Sequence, residues 1–103
     1  MDDVRIYTGT LIADLVLQRS QNLKDRRKPL RALIQRMRNH DFAVAQVGPA
    51  DLIQRVFLAI SVVSGNETQA DELMDEAERF LFASEFEVGQ LRRQIQSETF
   101  YSG

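Results

Sequence analysis

RIYTGTLIADLVL, residues 5–17, sets the first element of the fold. Leu11, Ala13, Leu15 and Leu17 fall on one side of an extended chain, with Tyr7 and Gly9 continuing the row. Thr8, Thr10, Ile12 and Asp14 fall on the other. A period of two with β-branched residues is the signature of a strand packed on one face only. The polar run Gln18 to Gln21 ends it.

Beyond that strand the period changes. In NLKDRRKPLRALIQRMR, residues 22–38, Leu23, Leu30, Leu33, Ile34 and Met37 gather within about 100° of a helical wheel. Asn22 suits the N-cap, and Asp25 suits the positive end of the helix dipole. Pro29 removes one backbone donor, so the helix either bends there or begins near Lys28. The unbroken phase of the apolar stripe favours a bend.

FAVAQV (42–47) predicts a short strand, and Gly48-Pro49-Ala50-Asp51 a turn. A second long strand is expected from Ile53 to Val63, with Val56, Leu58, Ile60 and Val62 on its apolar face. Ser64-Gly65-Asn66 closes it. Residues 68–81 form a second amphipathic helix, with Ala70, Leu73, Met74, Ala77, Phe80 and Leu81 inward and five acids outward. Thr68 with Asp71 reads as its capping box. FEVGQLRRQI (86–95) is a weaker last strand with a bulge expected at Gly89, and SETFYSG (97–103) reads as a loose tail.

The order β-α-β-β-α-β, with one apolar stripe per helix and one clearly apolar face on each long strand, predicts an α+β fold. It is the ferredoxin-like two-layer sandwich, a four-stranded antiparallel sheet with two helices on one face. One domain over residues 1–103 is expected, able to bury roughly 65% of its unfolded surface. The opposite sheet face would carry Thr8, Thr10, Ile12, Asp14, Arg55, Phe57 and Ser61. It is too apolar to be merely solvated, so a second copy or the C-terminal tail, through Phe100 and Tyr101, is expected to cover it. Thr10, Ile12, Arg55 and Phe57 are the interface residues of that homodimer.

Charge supplies the outward-looking feature. Seven of the 13 lysines and arginines lie in residues 22–38, although the chain has a net charge of −2. Lys24, Arg27, Lys28, Arg31 and Arg38 fall within about 100° along one flank of the apolar stripe. A row of cations on a helix edge can follow a phosphate backbone and release its counterions. These five are therefore the candidate nucleic-acid-binding residues, with RNA or a ribonucleoprotein as partner. The acidic second helix is the neighbour that would neutralise some of them.

No catalytic constellation is legible. There is no cysteine, so thiolate chemistry and thiolate metal sites are excluded. The single histidine, His40, stands where a helix ends and reads as a surface or C-cap residue. Asp14 reads as an outer-face acid. Neither GxGxxG nor GxxxxGK[ST] occurs. The expectation is a non-enzymatic protein without cofactor or metal. No apolar run approaches the roughly 20 residues of a membrane span. The acidic start, MDDVR, is unlike a secretory signal. A cytoplasmic location is expected.

Taken in sequence, the long first strand, NLKDRRKPLRALIQRMR, FAVAQV, DLIQRVFLAISVVSG and the acidic second helix resemble the YlxP-like family of small bacterial proteins, a domain of unknown function. The resemblance runs from about Tyr7 to Ile95 and is most specific in NLKDRRKPLRALI (22–34) and DLIQR (51–55). Asn22 stands where the family tends to show Ser, and both cap helices. Ile53 stands where an aromatic is common, which weakens base stacking at that position. The resemblance implies a ferredoxin-like fold, no known enzymatic activity, and genes lying beside transcription and translation factors.

Overall fold

The computed structural model describes residues 3–101. The elements are β1 (Asp3–Val16), α1 (Leu23–Asn39), β2 (Ala43–Val47), β3 (Arg55–Ser64), α2 (Glu67–Phe82) and β4 (Glu87–Tyr101). The strands form one antiparallel sheet in the order β2-β3-β1-β4. Both helices lie on one face of it, as the apolar stripes require. Leu11 and Leu15 of β1, Leu58 and Ile60 of β3, Leu33 and Met37 of α1, and Met74 and Leu81 of α2 are all buried at the centre of this sandwich.

Close packing at one point demands a glycine. Gly9 lies on the inner face of β1 beneath α2, and a Cβ there would meet Met74 Cγ and Sδ at 2.9 Å and Val62 Cγ2 at 3.0 Å. The bulge expected at Gly89 is present. Ala13 pairs with Leu91 but Leu15 with Val88, so Gly89 and Gln90 together face Asp14.

α1 begins at Leu23 and continues through Pro29, which removes the reading that it starts near Lys28. Asn22 Oδ1 accepts from the Asp25 amide, and Asp25 Oδ2 accepts from the Gln21 amide. These two reciprocal bonds hold the first turn in place ahead of the proline. Pro29 itself is buried.

Four expectations are corrected. β3 starts at Arg55 instead of Ile53, because Gln54 is spent on the β1–α1 connection. Its carbonyl accepts from the Leu17 amide, and its side-chain amide donates to the Gln18 and Ser20 carbonyls. α2 is capped by Asn66, whose Oδ1 accepts from the Gln69 amide; Thr68 lies inside the helix. The tail is strand up to Tyr101, because Asp3–Tyr7 of β1 supply a pairing partner for Ser97–Tyr101. Residues 102–103 lie outside the described residues. Consequently Phe100 and Tyr101 do not fold over the outer sheet face; Phe100 pairs with Val4 and Tyr101 with Asp3, and both side chains are exposed. The fourth correction concerns charge and belongs to the site.

Candidate nucleic-acid interface

α1 packs over β2 and beside α2, so its outer flank runs along the β2 edge of the sheet. The helix keeps its apolar stripe on the core, and that orientation turns Lys24, Arg27, Lys28, Arg31 and Arg38 into solvent. All five are exposed, and none forms an ion pair with a carboxylate among the described residues. At 1.5 Å per residue, Lys24 to Arg31 spans about 10 Å of helix and Lys24 to Arg38 about 21 Å. A shallow groove lined by Arg31, Ile34, Gln35, Arg38 and Gln46 borders the row on the β2 side.

Four acids of α2 are engaged elsewhere. Arg93, on the inner face of β4, holds Asp71 at 3.0 Å, Asp75 at 2.7 Å and Glu78 at 2.6 Å. Burial alone would lower the Arg93 pKa, but the hydrogen bonds to Asp75, Glu78 and Asp71 outweigh it and raise the pKa further above its usual value. Glu76 lies 3.8 Å from His40 Nδ1. Thus, among the described residues, no carboxylate of α2 forms an ion pair with the basic row of α1, and the partial pairing weighed from the sequence is not seen. Arg93 was missed in the sequence because it looks like one charge of a polar strand. Its partners lie 15 to 22 residues away.

Two of the cations in residues 22–38 have internal duties. Arg26 is buried and donates from Nη2 to the Ala50 carbonyl at 3.0 Å, bracing the β2–β3 loop. Arg38 is exposed, but its Nη2 donates to the Val44 carbonyl at 3.0 Å. That bond closes part of the β2 edge and leaves only the remaining guanidinium donors for a ligand. His40 takes the C-cap of α1 and packs against Phe80 with ring centroids 4.7 Å apart and planes tilted by 55°.

Among the described residues nothing covers the outer sheet face. Thr10, Ile12, Arg55 and Phe57 all lie on it, Thr10 and Ile12 on β1 beside Arg55 and Phe57 on β3. Arg55 Nε lies 3.1 Å from Asp14 Oδ1. A cleft of about 230 Å³, lined by Ile12, Asp14, Phe57, Gln90 and Arg92, opens there beside the bulge. Among the described residues no group of three or more His, Asp or Glu side chains could hold a metal ion, and no helix is long and apolar enough to cross a membrane.

The site and scaffold define an α+β protein of ferredoxin-like architecture with a basic helix edge. The profile of the family described as "Protein of unknown function (DUF503)" matches residues 8–93, and the chain belongs to that family. No curated protein matches the chain. Among solved structures, the de novo designed protein Ferredog-Diesel is similar at 14% identity and a TM-score of 0.50, over 84% of this chain and 83% of its own. The de novo designed protein Foldit4 aligns over 96% of this chain and 99% of its own at 8% identity, with a TM-score of 0.37. The first of these supports the fold alone.

Proposed function

We propose that this protein is a non-enzymatic binding module that holds RNA or a ribonucleoprotein by its phosphates, through the exposed flank of α1. One observation carries this reading: Lys24, Arg27, Lys28 and Arg31 stand in a row with no ion pair to a described carboxylate, while Arg93 occupies Asp71, Asp75 and Glu78 of α2. An uncompensated row of cations creates a local positive field on a chain that is negative overall. Phosphate contacts of this kind give affinity and orientation with little sequence readout. RNA is chosen among polyanions because of the translation-related setting that the family resemblance implies. Arg38 sits at the far end of the row as an auxiliary contact, since one of its donors already serves Val44. Titration of a fluorescent single-stranded RNA at several salt concentrations tests the reading, with Lys28→Glu/Arg31→Glu as the variant.

A further inference from the structure

The two edges of the sheet are treated differently. β2 is five residues long, and Arg38 takes one of its edge carbonyls. β4 is 15 residues long and contains no proline. Among the described residues no side chain or loop hydrogen-bonds to its free edge. Such an edge is a template for another strand, and isolated soluble proteins ordinarily block it. At its far end β4 has a second weakness. Residues 98–101 pair only with Asp3–Ile6, beyond the reach of β3, whose pairing stops at Tyr7. This two-stranded ribbon exposes Val4, Ile6, Phe100 and Tyr101, and a two-stranded ribbon is marginal in water without a further strand or a packed face.

The geometry points to a second copy of this chain as the occupant of that edge, with the two β4 strands pairing antiparallel about Ile95. A two-fold axis normal to the sheet keeps helix-side residues opposite helix-side residues. The charges select the register. With Ile95 opposite its own copy, Arg92 faces the second copy's Glu98 on the outer side, and the pair occurs twice. Neither residue has an ion-pair partner among the described residues of its own chain. Shifting the centre to Arg92 or Arg93 would instead set like charges face to face. In the Ile95 register, residues 89–101 pair along about 40 Å of backbone, and each ribbon gains a third strand from residues 89–92 of the other copy. Phe100 then stands opposite the second copy's Gln90, at the mouth of the cleft that Gln90 shares with Ile12, Phe57, Asp14 and Arg92. Complementary charge, an unpaired edge, an unsupported ribbon and an aromatic facing a cleft all meet in one arrangement. It stands whether or not α1 binds RNA.

Sedimentation velocity of the full chain should give a mass of about 24 kDa, twice the 11.8 kDa of the chain. Arg92→Glu and Glu98→Arg should each weaken the dimer on the order of tenfold, and the combined reversal should restore it. Both residues are exposed, so the fold is retained, and circular dichroism monitors this. Hydrogen exchange supplies an independent reading: amides of residues 89–101 on the edge away from β1 should be protected in the wild type and should exchange fast in either single variant. A mass of 11.8 kDa at every concentration overturns the proposal. So does a dimer that ignores both reversals but is lost on Val47→Glu, Val47 lying beside Phe57 on the outer face, or a combined reversal that restores nothing.

Discussion

Arg93 and Glu78 meet at 2.6 Å where β4 passes beneath α2, and the same guanidinium also reaches Asp71 and Asp75. One strand residue therefore fastens the acidic helix to the sheet and engages three of its carboxylates. Arg93→Met should leave three partly exposed carboxylates without their cation and cost about 1–2 kcal/mol, lowering Tm by about 5–10 °C. Thermal unfolding measures it. An unchanged Tm would mean the cluster is ornamental.

Gly9 faces Met74 so closely that an added Cβ would force the methionine to shift. Gly9→Ala should overpack the space between β1 and α2 and destabilise the protein by about 1–3 kcal/mol, although alanine is otherwise the better strand residue. Urea denaturation with an unchanged slope would confirm a native-state effect.

The α2 cap separates two readings of one short stretch. Asn66→Ala should cost about 1 kcal/mol, because the Gln69 amide loses its acceptor. Thr68→Ala should cost little, since Thr68 is an exposed residue within the first turn. Equal effects from the two substitutions would contradict the assignment.

Arg26 and Lys28 are two residues apart yet belong to different tasks. Arg26→Met should lower stability by about 1–3 kcal/mol, by leaving the Ala50 carbonyl without its charged donor. Lys28→Glu/Arg31→Glu should leave Tm nearly unchanged, since both side chains are exposed and unpaired. A stability loss in the second variant as large as in the first would assign the basic row a structural role.

The framework of this fold was readable because its periods are clean. Leu11, Ala13 and Leu15 repeat every two residues, and Leu30, Leu33 and Met37 repeat on one helical face; their burial follows from that spacing. Gly89 could mark its bulge because a glycine interrupts an alternating strand. The tail could not be read this way. Ser97-Glu98-Thr99 alternate no apolar side chain, and they become strand only because residues 3–7 lie alongside. Asn66 lost its cap to Thr68 because both are capping types two residues apart, and only backbone geometry decides between them. At the candidate site the cations of α1 were visible as composition. Their lack of ion-pair partners was not, since it depends on which way each helix turns its charges once both are packed on the sheet. Arg38 was likewise read as a free cation, and its bond to Val44 appears only when β2 is placed beside α1.

The most direct test of the central claim is the salt dependence of RNA binding by the full chain. Four to five phosphate contacts predict that log K falls with log salt at a slope of about −3 for a single strand. Lys28→Glu/Arg31→Glu should abolish that binding with the fold intact. Binding that is absent at low salt, or that persists with a flat salt profile and survives the double variant, would contradict it.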